Sequence, residues 1–223
     1  LLERFVRKPK LAILVDRPNW AYDFFAHNVR DVLSDQFDID IYYVTQSPVI
    51  SPEVYDLLHV CFWGETYHHK FNFPPSRVVK EVSSHRWQFD APYGPIKVQE
   101  FVNEYLSDAN TVVATSLALY DLLQAHSQPV YHVQNGFDPT IFSPNCKMLK
   151  GPIQIAWCGN AADPVKGVDN ILKPSALGYS LRLATGNVPQ NNLAEFYRQS
   201  DVYVVCSVHE AEPLTLIEAM ACG

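Results

Sequence analysis

Short apolar runs alternate with helical patterns along most of this 223-residue chain, and this alternation constrains the fold more than any other feature. When a strand recurs after each helix, the chain crosses over and lays the new strand parallel to the last, so the pattern specifies a parallel α/β sheet. Residues 10–15 open the series as a strand. The loop Asp16-Arg17-Pro18-Asn19-Trp20 follows, then a helix over about 22–34 with Phe24, Phe25, Val29, Val32 and Leu33 available to pack inward. Residues 39–45 read as the next strand, and 54–58, 60–63, 77–83, 111–115 and 130–132 supply further strand or helix candidates. Short helices are expected at 96–106 and 116–125.

Regular structure is interrupted at Asn135-Gly136-Phe137-Asp138-Pro139-Thr140-Ile141-Phe142-Ser143-Pro144. Asn-Gly favours positive φ and Asp-Pro starts a second turn. A domain boundary is placed between Ser143 and Pro152, giving an N-terminal domain over 1–147 and a second over 148–223. The second series runs strand 153–158, loop 159–167, helix start 168–172, strand 181–184, helix 193–200 and strand 201–207. Two Rossmann-like parallel-sheet domains facing a cleft are therefore expected, with a ligand at the carboxyl ends of the strands. No internal repeat of 20 to 50 residues and no low-complexity stretch is found.

Composition excludes several classes of function. The net charge of −7 is shared by both halves, −4 up to Lys150 (13 basic against 17 acidic) and −3 beyond it (4 against 7). Without a basic tract, a nucleic-acid partner is not supported. Arg4, Arg7, Lys8 and Lys10 suggest either peripheral contact with an anionic membrane or, more plainly, a solvated basic lead into the first strand. No apolar run reaches membrane-spanning length, and no signal or lipidation motif is found, so a cytoplasmic location is the default expectation. Cys61, Cys146, Cys158, Cys206 and Cys222 are odd in number and widely spaced, which favours reduced, partly buried thiols. His59, His68 and His69 match no zinc or iron spacing and read as polar loop and core residues. No Gly-x-Gly-x-x-Gly follows the first strand, so nicotinamide and flavin cofactors lack support.

The end of the sequence carries the most legible chemistry. Glu210 and Glu218 flank the start of an apolar helix, with Pro213 expected at its first position. Leu214, Leu216, Ile217, Met220 and Ala221 share one face at helical spacing and are expected to pack inward. Thr215, Glu218, Ala219 and Cys222 form a neighbouring stripe beside a helix N-terminus that attracts anions, a surface suited to a ribose and a diphosphate. By the residues alone, Glu218 fits equally a solvated glutamate on an ordinary helix.

Glu210, seven residues, Glu218 and then Ala-Met-Ala-Cys-Gly resemble the E-x7-E signature of retaining glycosyltransferases of family 4. Asn135-Gly136-Phe137-Asp138 with Phe142-Ser143-Pro144 is similar to the segment that ends that family's N-terminal domain. Trp157-Cys158-Gly159-Asn160 and Lys166-Gly167-Val168-Asp169 resemble its Gly-Arg and Lys-Gly-x-Asp elements. The resemblance implies the GT-B fold, with the second domain incomplete at Gly223, where the family continues with another strand and a final helix. It implies sugar transfer from a nucleoside diphosphate sugar to an unknown glycan, lipid or small-molecule acceptor, with retention and with no other cofactor.

The site residues implied are Glu218 on the ribose, Lys166, Asn160 and the amides of Leu214 and Thr215 on the diphosphate, and His85 and Glu210 toward the transferred sugar. Asn19 and Trp20 would line the acceptor side, although Trp20 fits a packing role equally. No metal is expected, since the lysine and the helix end replace it. Two departures from the family pattern stand out. Asn160 replaces an arginine, so either Lys166 suffices with the helix amides, or another cation such as Arg86 or Arg182 substitutes, or activity is weak, and Ala211-Glu212-Pro213 replaces a glycine-rich stretch, with Glu212 facing either a sugar hydroxyl or a partner residue. The alternative reading is a noncatalytic homologue that binds a nucleotide sugar or serves as a structural partner. An epimerase of the same architecture is disfavoured, because the match lies in the E-x7-E region.

Overall fold

A computed structural model describes residues 7–89, 92–126, 129–145 and 151–223. Arg4, Cys146 and the boundary placed at 147/148 lie outside the described residues. The chain divides into two compact units, Leu1–Gln134 and Asn135–Gly223. The stretch after Gln134 belongs to the second unit because it is built into it. Phe142 is buried with Tyr197 and Ala156, and Arg198 donates to the carbonyls of Ser143 (2.8 Å) and Ile141 (3.1 Å).

The first unit runs β1 (Lys10–Val15), α1 (Ala21–Leu33), β2 (Asp38–Tyr43), β3 (Leu57–Val60), β4 (Val78–Val82), α2 (Arg86–Phe89), α3 (Val98–Phe101), β5 (Thr111–Ala114), α4 (Leu117–Leu123) and β6 (Val130–His132). Its six strands are all parallel, in the order β2-β1-β3-β4-β5-β6. β1 is buried over its last four residues, as expected for a central strand covered on both faces. The apolar runs at 54–58 and 60–63 resolve into the single strand β3, since His59 between them pairs in register with Ile13. α1 packs Phe25, Val29 and Leu33 against Ile13, Val15 and Ile39. Val32, expected inside, is 78% exposed. At ~100° per residue it stands about 120° around the helix from fully buried Ala26.

The second unit runs β7 (Gln154–Cys158), a π-helical turn Val168–Leu172 leading into α5 (Lys173–Ser175), β8 (Ser180–Ala184), α6 (Gln190–Arg198), β9 (Val202–Tyr203) and α7 (Leu214–Cys222). Its three strands are parallel in the order β8-β7-β9. The chain is thus an α/β protein with two parallel sheets, consistent with a Rossmann-like GT-B fold. In the second sheet the chain leaves β7 toward β8 on one side and returns to β9 on the other. The crevice beside the carboxyl ends of β7 and β9 is therefore a switch point of the kind that accepts ligands.

Three further features differ from expectation. β9 is two residues long, because after Tyr203 the chain departs to bond the loop that follows β7: Cys206 Sγ donates to the Lys166 carbonyl at 3.1 Å, and the Val208 amide to Val165 at 2.8 Å. Gly136 does not take a left-handed φ, and the turn lies at Asp138, whose carbonyl accepts from the Phe142 amide at 2.9 Å. The buried residues of α7 are Ala219 and Cys222, while Met220 is 73% exposed. The small side chains let α7 pack closely with α6, so Ala219 and Cys222 of that stripe face the core, while Thr215 and Glu218 are half-buried.

Gly167 makes the joint between the two loops possible. Its φ is +67°, and a Cβ there would lie 2.2 Å from the Cys206 carbonyl oxygen. Gly178, at φ +89°, has open space around it. Gly178→Ala is expected to cost about 1–2 kcal/mol from backbone strain alone, and Gly167→Ala more than about 3 kcal/mol, because a backbone clash adds to the strain. Urea denaturation of the two variants measures the difference.

Candidate functional site

The residues singled out by the sequence fall in both units. In the second unit, Asn160 and Lys166 follow β7, while Glu210 and the start of α7 follow β9, so all stand on loops at the carboxyl edge of adjacent parallel strands. The Lys166 ammonium donates to Glu210 Oε1, and Ser207 Oγ donates to the same oxygen at 2.7 Å. Both Lys166 and Glu210 are half-buried, so the pair is partly shielded from solvent.

Glu218, on α7, accepts from the Tyr197 hydroxyl of α6 at 2.9 Å. Burial pushes its carboxyl up to about 7, and the Tyr197 bond opposes part of the rise. Cys158 at the end of β7 is close enough to be affected: burial raises its thiol to about 11, and the Glu218 charge adds to the rise. Glu218 thus lies by the end of β7, in a drier setting than the surface helix alternative supposed. The Lys166–Glu210 pair, on the loops after β7 and β9, and the Glu218–Tyr197 pair, between α7 and α6, are separate bonded groups.

Leu214 and Thr215 are the first two residues of α7, whose leading amides precede the first intrahelical bonds. Pro213 stands one position earlier than expected, at the N-cap, and its carbonyl accepts from Leu216 at 3.0 Å. Glu212 faces a partner residue. Its carboxylate accepts from the Asn135 amide at 2.6 Å, and its carbonyl accepts from the Asn135 side chain at 3.2 Å. Asn160 is exposed, and its carboxamide oxygen accepts from the Ala162 amide at 3.1 Å, shaping the loop. Arg182, on β8, does not replace the missing arginine. Its guanidinium donates to the Gln199 carbonyl (2.9 Å) and side chain (3.1 Å) at the end of α6 and lies over Phe196.

In the first unit, His85 follows β4 and its Nδ1 pairs with Gln88 Oε1 at 2.8 Å. Asn19, at φ +59°, donates its amide to Asp23 at 2.7 Å, and Trp20 is 43% exposed with the Arg17 guanidinium 4.0 Å over its ring. At the start of the chain, Arg7 pairs with Asp56 at 2.9 Å and Lys8 bonds the Ser34 carbonyl at 2.9 Å, so both cations are engaged by the protein itself. Cys61, Cys158, Cys206 and Cys222 are unbridged.

Space brings together what sequence spacing kept apart. His68 and His69 both reach Asp108 Oδ2, at 2.9 and 2.6 Å, and buried Lys80 donates to the same oxygen at 2.8 Å. His59, Cys61 and Glu81 form a second group. Neither could be read from local spacing, because Asp108 and Glu81 lie many residues away. The sequence does hold an Asp-x-Asp, Asp38-Ile39-Asp40, and it lies in β2, where Asp40 accepts from the Tyr55 hydroxyl at 2.7 Å.

Residues 182–223, from β8 through α7, match the family model described as Glycosyl transferases group 1. That stretch is similar to glycosyltransferases. It contains Glu210, Leu214, Thr215 and Glu218, so the match covers the loop and helix on which the site is built and supports glycosyl transfer. A comparison with curated proteins found no match. Among the described residues, no helix is long and apolar enough to cross a membrane.

A carboxyl whose native pKa exceeds its unfolded value favours the fold while protonated, and this contribution is lost as pH rises from about 4 toward 7. Glu218→Gln removes that dependence. The urea midpoint of the variant relative to the parent protein is therefore expected to be higher at pH 8 than at pH 4.

Proposed function

We propose that the protein is a retaining glycosyltransferase of the family 4 type that transfers a sugar from a nucleoside diphosphate sugar. The observation that carries this reading is the gathering of Lys166, Glu210 and the start of α7 at the β7/β9 carboxyl edge, in and beside the stretch that matches glycosyltransferases. Without donor, the ammonium is neutralised by Glu210. On donor binding it would turn to the diphosphate, together with the amides of Leu214 and Thr215 and the α7 N-terminus. As the glycosidic bond breaks, negative charge grows on the leaving diphosphate, and a fixed ammonium stabilises that charge more than it stabilises the ground state. The freed Glu210 carboxylate would then meet a sugar hydroxyl, and Glu218, on the next turns of the same helix, would accept from the ribose hydroxyls. His85 is assigned to the transferred sugar, and Asn19 and Trp20 to the acceptor. The reaction needs no cofactor beyond the donor itself.

A noncatalytic nucleotide-sugar binder is the second reading. Two observations favour it: Asn160 is uncharged with its carboxamide oxygen engaged in its own loop, and Arg182 is committed to the end of α6. Incubation with UDP-, GDP- and ADP-sugars, with and without an acceptor panel, separates the two. Acceptor-dependent release of nucleoside diphosphate marks the transferase, and saturable donor binding without release marks the binder. For the transferase, Lys166→Met is expected to lower kcat/KM by roughly 100- to 1,000-fold, and Glu218→Gln to raise the KM for donor with a smaller effect on kcat. Equal activity of Lys166→Met and the parent protein would overturn the assignment.

A further inference from the structure

On the face of the larger sheet that α1 covers, three side chains of metal-ligand type converge. His59 and Cys61 are two residues apart along β3 and its continuation, so they point to the same face. The register pairs Val60 with Lys80, which brings Glu81 of β4 alongside Cys61. One ligand atom from each of the three lies within 4.8 Å of the other two. Cys61 is fully buried, Glu81 is 4% exposed, and the Phe25 ring stands edge-on to His59 at 6.0 Å.

His59 Nε2 is buried without a hydrogen-bond partner and lies 3.7 Å from Glu81 Oε2, beyond hydrogen-bond reach. Buried polar atoms are seldom left unpaired, so this one calls for an occupant. Tetrahedral zinc, with bonds of ~2.0–2.2 Å to nitrogen and oxygen, sets such a pair roughly 3.3–3.5 Å apart. The His59–Glu81 separation is within about 0.4 Å of that, a difference a small side-chain rotation closes. We propose that His59 Nε2, Cys61 Sγ and Glu81 Oε2 bind one Zn²⁺, with a fourth position left for water. Imidazole, thiolate and carboxylate together suit this borderline cation, and the two anionic ligands balance its charge. The site lies beside the carboxyl end of β1, where Asp16 Oδ1 is a further buried oxygen without a partner. It ties β3 to β4 and is independent of the sugar-transfer reading.

The cluster of His68, His69 and Asp108 is the weaker candidate. There the Lys80 ammonium, 1% exposed, already donates to the shared Asp108 oxygen and fills the position a cation would take.

The test uses the whole chain after treatment with a chelator. Titration with Zn²⁺ is expected to show one tight equivalent and to raise Tm, and Co²⁺ is expected to give a near-ultraviolet thiolate charge-transfer band. Cys61→Ala should abolish the band, and Cys61→Ala and Glu81→Gln should each weaken Zn²⁺ binding by more than roughly 100-fold, beyond the usual loss for an outer-sphere partner. A His68→Asn/His69→Asn double variant should bind as the parent does. The proposal is overturned by absence of a tight equivalent, by a cobalt band that survives Cys61→Ala, or by unchanged zinc affinity in Glu81→Gln. The last of these decides the matter even if Cys61→Ala does not fold.

Discussion

The second unit depends on a backbone contact that permits no side chain. Gly167 sits against the Cys206 carbonyl, and around that point the Lys166 carbonyl takes the Cys206 thiol while Val165 takes the Val208 amide. Two loops that leave different strands are thereby joined along one seam. Lys166 and Glu210 lie on either side of it, and their charges meet because the backbone behind them is fixed. Preorganisation of this kind matters for charge stabilisation, since a group held in place does not have to reorganise when charge develops nearby.

Glu218 belongs to a different regime. Its carboxyl is half-buried, bonded to Tyr197 of the neighbouring helix, and pushed up by burial to about 7. An uncharged carboxyl can donate as well as accept, whereas a carboxylate only accepts. The small residues Ala219 and Cys222 create this environment by allowing α7 to settle against α6, so the packing of the helix and the chemistry of its glutamate have one cause.

Much of the fold was legible because alternation of strand and helix is a local pattern. β1, α1, β5, α4, β7 and α6 are found within a few residues of where periodicity places them. The buried face of α7 is not legible in this way, since Leu214, Leu216, Ile217 and Met220 outweigh two small residues on any apolarity count, yet close helix packing favours the small ones. β9 is shorter than its pattern implies because the apolar run 202–206 continues past the point where the chain leaves the ladder. The pairing of Lys166 with Glu210, of Glu212 with Asn135, and the convergence of His59, Cys61 and Glu81 are properties of register and crossover, which no local window contains.

Asn135 and Arg198 have a practical bearing on how the second unit can be cut from the chain. The strand-bearing part begins at Gln154, and a fragment started just before it would look complete by its sheet. Such a fragment would strip Glu212 of its amide donor, Arg198 of the carbonyls it grips and the interior of Phe142. Residues 135–143 act as a strap on the unit, so an excision intended to keep the α7 approach intact has to start at Asn135.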